Sequence, residues 1–376
     1  MKTAKTDVVI VGAGAIGCAI AYFLSRQGVK VIIVEKDSLG DHASGHAPGI
    51  LNPQVAIPEY VDIMLPLTTK SFQLHQELYP QLLAETGVDY YFRRSALLGL
   101  AFTQAEAQET KDEIGILQKQ GFETSWLDGD AVRLIDSRIS PEVIGAEYSQ
   151  DAGELDSYRY VLALAQAAEK YGAEIRNGRF TGLKRKGAKL TGVQLSSGEI
   201  GCASAVLAMG PWTGQASSSL GLSIPIRPQK GQNLRVRAPG PPFASILAWD
   251  ASYNTTTRQD GLVYHGATHE DVGFDEEPSA EGRDELINSL VTMVPSLVAA
   301  EVVLQTACLR PLAADGLPIL GEVPGWNGVY LATGHWTKGI LLSPVTGYII
   351  SELILGKAAP LPIEPFSVAR FNSARA

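Results

Sequence analysis

The chain has 376 residues, is 45% hydrophobic and 19% charged, and carries a formal net charge of -9. At about 100–200 residues per domain this predicts two globular domains with ordinary cores. An acidic chain whose longest basic run is Lys184-Arg185-Lys186 excludes a basic nucleic-acid-binding face. Three cysteines, Cys18, Cys202 and Cys308, form no C-x-x-C pair, which excludes a disulfide framework and points to a reducing, cytoplasmic setting. Six histidines without metal-ligand spacing predict no metal site.

The first strand is expected at Asp7–Val11, a short uninterrupted Val/Ile run. The uncharged stretch from Val8 to Ser25 follows Lys2 and Lys5, as a signal peptide would. However, Gly12, Gly14 and Gly17 interrupt it, and an apolar leader helix has no use for that spacing. A turn and helix are expected over 12–27, capped by Gly28, and a second buried strand over 29–34, ending at Glu35. Residues 37–54 read as a loop. A helix over 67–85 is expected to break at Pro80. Antiparallel strands are expected at 90–93 and 97–101, and the Thr103…Glu106 capping box opens a helix running to about Gln120. Asp156 and Gly172 bracket an amphipathic helix over 157–171. Short strands follow over 180–208, and alternating stretches at 234–237 and 261–266 predict more antiparallel sheet. Gly328–Ala332 is a further buried strand and 343–355 a last apolar helix. The apolar run from Gly339 to Ser351 contains Pro344 and is too short to cross a bilayer, which takes about 20 residues.

The chain thus begins and ends in α/β character and visits antiparallel sheet twice. The predicted fold is α/β plus α+β: a doubly wound Rossmann-like domain (1–88, 150–222 and 305–376) interleaved with an antiparallel-sheet substrate domain (89–149 and 223–304).

Gly12-Ala13-Gly14-Ala15-Ile16-Gly17 is a G-x-G-x-x-G turn between strand and helix. Its glycines permit the tight turn, backbone approach to a pyrophosphate and close helix–strand packing. The helix start offers free N–H groups and a partial positive charge to phosphates. Glu35 ends the second strand, where a carboxylate accepts hydrogen bonds from ribose hydroxyls and repels a 2′-phosphate. FAD and NAD both satisfy this unit; NADP does not.

Four later segments resemble the D-amino-acid oxidase superfamily, in particular its glycine oxidase and sarcosine oxidase branch. They are Ala43-Ser44-Gly45-His46-Ala47-Pro48-Gly49-Ile50-Leu51, Ala208-Met209-Gly210-Pro211-Trp212, Leu309-Arg310-Pro311 with Asp315-Gly316-Leu317-Pro318 and Gly321, and Thr333-Gly334-His335 with Gly339-Ile340-Leu341-Leu342. The resemblance implies FAD, with Lys36 and Phe180 among its contacts besides the residues of these segments. It also implies oxidation of a small amino acid or secondary amine bearing a carboxylate, of the glycine, sarcosine or iminodiacetate type. A hydride leaves the α carbon for flavin N5, and the resulting imine hydrolyses. Oxygen or another acceptor then takes the electrons.

In this resemblance Arg310 holds the substrate carboxylate, as its guanidinium geometry suits; the alternative is an internal ion pair with a carboxylate such as Asp315. Tyr253 matches a carboxylate-binding tyrosine of glycine oxidases if one residue is gapped, and His269 falls at a pocket-facing position. Glycine oxidases carry an arginine where Thr337 stands, while Lys338 matches a carboxylate-holding lysine of monomeric sarcosine oxidases. Tyr264 stands where those enzymes have an oxygen-activating lysine. Cys308 and His46 match flavin-linked residues of relatives, yet dissociable FAD is expected. A dehydrogenase of the same fold using a quinone or protein acceptor, a tRNA-modifying flavoprotein and a non-catalytic dinucleotide binder are the alternatives. Oligomeric state is left open.

Overall fold

The computed structural model describes residues 4–371. Val8–Val11 and Val31–Glu35 pair in parallel and lie in the middle of a six-stranded sheet. Its order is Ile319–Glu322, Val329–Thr333, Ser204–Leu207, Val8–Val11, Val31–Glu35, Glu174–Asn177. Only Ile319–Glu322 runs antiparallel. Every residue of Val8–Val11 is buried, because helices cover one face and a second sheet the other. The helices are Ala15–Ser25, Val61–Thr86, Ser157–Lys170 and Gly339–Ile354. The covering sheet is a small four-stranded one that includes Phe180–Lys186 and Lys189–Leu195.

The third sheet has nine strands among the described residues. Its order is Glu301–Ala313, Ile226–Arg237, Val263–Gly266, Tyr253–Thr257, Ser245–Trp249, Arg93–Ala101, Gly145–Glu154, Ile50–Leu51, with Thr124–Asp128 also on Gly145–Glu154. One face buries Leu234, Val236 and Leu247 with Leu286 and Leu290 of the helix Ala280–Met293. The other face looks toward the first strand–turn–helix unit, and the cavity described below lies between them. The fold is the mixed α/β, doubly wound one expected.

Four local expectations change. Val61–Thr86 is one helix with Pro66 and Pro80 inside it. Each proline removes one backbone donor, but buried Leu67, Phe72, Leu74, Leu78 and Leu82 keep the helix docked through those turns. The two strands expected at 90–93 and 97–101 are a single strand, Arg93–Ala101; Tyr91, at φ 54, falls outside it. Glu301–Ala313 runs through Pro311, which pairs with Pro228, so Arg310 lies within a strand and the expected domain boundary at 304/305 cuts that strand.

The last helix starts at Gly339 rather than Ser343 and contains Pro344. Pro344 cannot donate to the Ile340 carbonyl. His75 Nε2 and Ser343 Oγ donate to it instead, at 3.0 and 2.8 Å. Burial pulls the His75 pKa down to about 4, so the ring acts there as a neutral donor.

Candidate active site

A cavity of about 780 Å³ runs from the glycine turn to the face of the nine-stranded sheet. At its first end the wall is backbone. Gly12 sits at φ 110, and a Cβ there would lie 2.3 Å from the Ala208 carbonyl oxygen. A Cβ at Gly17 would lie 1.9 Å from the Gly12 oxygen, so only glycine lets the helix start this close to the turn. Ser44 Oγ accepts from the Ala15 N–H at 3.0 Å. The neighbouring first-turn residues Gly14 and Ile16 face the cavity, where helix-start N–H groups meet anions. A Cβ at Gly14 would project to within 2.9 Å of Ser44 Oγ and narrow the cradle.

Glu35 Oε2 accepts from the Ala13 N–H (2.8 Å) and Oε1 from the N–H groups of Lys36 (2.8 Å) and Asp37 (3.1 Å). A carboxylate has about four acceptor positions, so capacity remains for a ribose hydroxyl. Lys36 Nζ lies 3.7 Å from the Trp212 ring centroid. His42, unnoticed in the sequence, lies 4.5 Å from that ring and bridges Asp37 (2.9 Å) to Glu276 (3.0 Å). Ligand atoms of Glu35, Asp37 and His42 converge within 4.8 Å, but these groups are already bonded to one another's neighbours, as a structural clasp would be.

The other end is built from side chains. Arg310 Nη1 donates to the Thr268 carbonyl at 2.9 Å. The guanidinium lies over Gly231, where a Cβ would sit 2.3 Å from Nη2. Burial lowers its pKa, and Cys308, Tyr264 and Glu270 only partly offset this. Asp315, its candidate internal partner, pairs instead with Arg370 at 2.7 and 3.0 Å. Among the described residues no carboxylate forms an ion pair with Arg310. Among the described residues Lys338 Nζ reaches only the carbonyls of Asn52 (3.3 Å) and Gln54 (3.4 Å), and burial pulls its pKa down to about 8. His269, whose ring centroid lies 6.0 Å from that of Trp336, is drawn down to about 4 by desolvation and Arg310, so it stays neutral. The start of Gly339–Ile354 borders the same space through Gly339, Ile340 and Leu341.

The cavity wall also carries Ala43, Ser44, His46, Ala47, Ile50, Phe180, Gly210 and Trp212. Ala13, Gly17, Gly49 and Gly334 sit behind it: a Cβ at Gly49 would meet the Leu155 oxygen at 2.1 Å, and one at Gly334 would press on Ile226 and Ala313. These four shape the chain rather than touch the space.

Tyr253 is displaced from its expected place. Its hydroxyl donates to Glu285 at 2.9 Å, and its ring stacks on His265 at 5.9 Å, on the face covered by Ala280–Met293. Strand alternation instead turns its neighbours Ser252 and Asn254 to the cavity. Tyr264 is also turned away: its hydroxyl donates to the His46 carbonyl at 2.6 Å and steadies the loop. Asn233 Nδ2 reaches the same carbonyl at 3.4 Å, while its buried Oδ1 has no hydrogen-bond partner. Only the strand register, not a motif, brings Asn233 here, and the sequence reading passed over it. Cys308 is buried and its thiol pKa is pushed up to about 11, while burial moves the His46 imidazole down.

Residues 7–353 match the family model described as FAD dependent oxidoreductase. The chain belongs to that family. It is 31% identical over 370 residues to glycine oxidase of Geobacillus kaustophilus, covering 98% of each chain, and 30% identical to glycine oxidase of Bacillus subtilis, covering 93% of each. The crystal structure of the Geobacillus kaustophilus enzyme superposes with a TM-score of 0.93 at 30% identity, over 98% of this chain and 99% of that one. The cofactor is therefore FAD; the backbone cradle at Gly12, Gly14, Ala15 and Ile16 could take its diphosphate, and Glu35 its ribose. Among the described residues no helix is long and apolar enough to cross a membrane.

Proposed function

We propose that this FAD-dependent oxidoreductase is an oxidase of a small amine that bears a carboxylate, of the glycine, sarcosine or iminodiacetate type, with oxygen as the electron acceptor. The observation that carries this reading is Arg310, a buried guanidinium on the cavity wall without an anionic partner among the described residues. A buried charge of this kind is costly unless paired, and a carboxylate meets its forked donors. Lys338 adds a second cation on the same wall, and the neutral His269 adds none.

Bound FAD supplies the two-electron hydride acceptor. The chain's own residues bind and orient the substrate. Arg310 and Lys338 fix the carboxylate, Tyr264 and Asn233 hold the His46 carbonyl and with it the loop, and the walls exclude water, which is how positioning lowers a barrier. An amine that arrives neutral needs no strong base, and burial leaves His269 too weak a base to be one. Loss of hydride from the α carbon leaves an imine that water hydrolyses. The protonated Cys308 thiol favours dissociable FAD, and acid precipitation is expected to release the yellow colour into the supernatant. The three free cysteines suit a cytoplasmic setting.

The test is anaerobic bleaching of the purified flavoprotein by glycine, sarcosine and iminodiacetate, followed by admission of air. Bleaching by at least one of them, with prompt return of colour in air, is expected. Failure of all three sinks the substrate reading, while bleaching that air reverses only slowly turns the enzyme into a dehydrogenase.

A further inference from the structure

The cavity does not end at Arg310. It continues along the nine-stranded sheet to a wall of opposite charge. Its floor is a row of paired residues on successive strands: Asn233, Gly266, Asn254, Ala248, Gly99 and Glu147. Between the polar ends the row is largely glycine and alanine, so space stays open above it. At about 4.8 Å per strand, Glu147 lies roughly 14 Å across the sheet from Asn254.

Glu147 is only 8% exposed. Its Oε1 accepts from Thr124 Oγ1 at 2.9 Å and Gln54 Nε2 at 3.2 Å. Among the described residues no hydrogen bond reaches Oε2, which lies against Gly99 on the cavity wall. Glu109 and Glu113, one turn apart on Gln104–Lys119, line the same stretch. Burial raises the pKa of Glu147, and that of Glu113 is raised by burial, Glu147 and Glu109; among the described residues no cation pairs with either. Converging carboxylates, one of them buried with a free oxygen, are the chemistry that receives an alkylammonium. At the opposite end Arg310 and Lys338 have no anionic partner among the described residues. A molecule with a carboxylate at one end and a cation at the other would relieve both imbalances at once.

We infer that the preferred substrate is a carboxylated amine whose chain ends in a second, cationic nitrogen, and that Glu147 and Glu113 recognise that nitrogen. This rests on Arg310 as the carboxylate anchor. Glycine-sized substrates fill only the Arg310 end.

Because the floor from Asn254 to Glu147 alone spans about 14 Å, the test compares matched pairs on the FAD-loaded enzyme with chains of that reach: racemic 2,12-diaminododecanoate against 2-aminododecanoate, and N-(10-aminodecyl)glycine against N-decylglycine. Anaerobic flavin reduction gives rates. Perturbation of the flavin spectrum by the α-methyl analogues of the first pair, which have no hydrogen on the α carbon to transfer, gives dissociation constants. In at least one pair the cationic member should be favoured about tenfold, the scale of a partly buried charge-assisted contact. The α-methyl pair should show the same bias if the first pair does. Glu147→Gln and Glu113→Gln should each move the ratio toward parity. Glu113 is on the surface of its helix, so its variant keeps the test decisive if Glu147→Gln folds poorly. Equal use of both members by wild type, or a preference that survives both substitutions, overturns the inference while leaving the anchor intact. If no carboxylated amine, glycine, sarcosine and iminodiacetate included, reduces the flavin, the anchor reading falls and this one with it.

Discussion

At the dinucleotide end of the cavity the wall is largely main chain: a turn that only glycine can make, the first N–H groups of a helix, and one carboxylate already tied into that turn. Most of it comes from residues 12–44 and the loop at 208–212, with Phe180 beside them. At the reactive end the wall is side chain: Arg310, Lys338, His269, Asn233 and Asn254 arrive from separate strands, a loop and a helix start. The first design binds a constant ligand through groups every residue possesses, and a single Cβ spoils it. The second is set by residue identity, so it can be retuned by substitution without disturbing the fold.

The largest effect should therefore come from the backbone end. In Gly14→Val a Cβ appears 2.9 Å from Ser44 Oγ, and its two methyl groups enter the space kept for the diphosphate. Purified Gly14→Val is expected to be colourless and to stay so when FAD is added. A yellow variant with one FAD per chain would remove the cradle from the argument.

Next comes the anchor. Arg310→Ala should stay yellow and folded, and lose roughly 2–5 kcal/mol of transition-state stabilisation for a carboxylated amine. Arg310→Lys should recover part of it, since an ammonium cannot make the forked pair. The decisive comparison is two by two: wild type and Arg310→Ala, each with a carboxylated amine and its decarboxylated analogue. Equal harm to both would make Arg310 a packing residue.

The same contrast explains what the sequence made legible. The strand–glycine turn–helix unit and Glu35 lie within about 40 residues and obey local rules, so they could be placed without tertiary information. Arg310 was found through its motif, but its partner was not: whether it paired with Asp315 depended on Arg370, 60 residues further on. Asn233 and Glu147 carry no motif at all. They join the wall only because Asn233 pairs with Gly266 and Glu147 with Gly99, and register between distant strands cannot be read from a single strand's alternation. The unbroken helix at 61–86 has the same origin, since packing outweighs the proline's local penalty.

A smaller, pH-dependent effect belongs to Lys338. Burial pulls its pKa from the ordinary 10.5 to about 8, so the ammonium is charged below about pH 8 and neutral above it. Attraction for a carboxylate is then full on the acid side and lost as pH rises through 8. Acetate, which has no amine to titrate, isolates this term: its dissociation constant, read from the flavin spectrum, should rise about tenfold between pH 7 and 9. Lys338→Met should bind acetate weakly and with little pH dependence over that range. A rise of equal size in the variant would assign the titration to another group.

The smallest effect should come from Tyr253, and its smallness sharpens the comparison. By sequence position this hydroxyl was a candidate carboxylate ligand, yet it donates to Glu285 on the helix side of the sheet. A one-residue change in which side chain faces the cavity is enough to exchange it for Asn254, because neighbours on a strand point to opposite faces. Tyr253→Phe removes a hydrogen bond at a half-exposed position, worth about 0.5 kcal/mol or less of stability, and keeps the ring that stacks on His265. The expected kcat/KM with a carboxylated amine is within about twofold of wild type. Asn254→Ala, one residue on, should lower the same parameter by about tenfold through the lost polar contact. If instead Tyr253→Phe is the damaging change and Asn254→Ala is silent, the strand faces the substrate with the opposite set of side chains, and the floor from Asn254 to Glu147 would have to be redrawn.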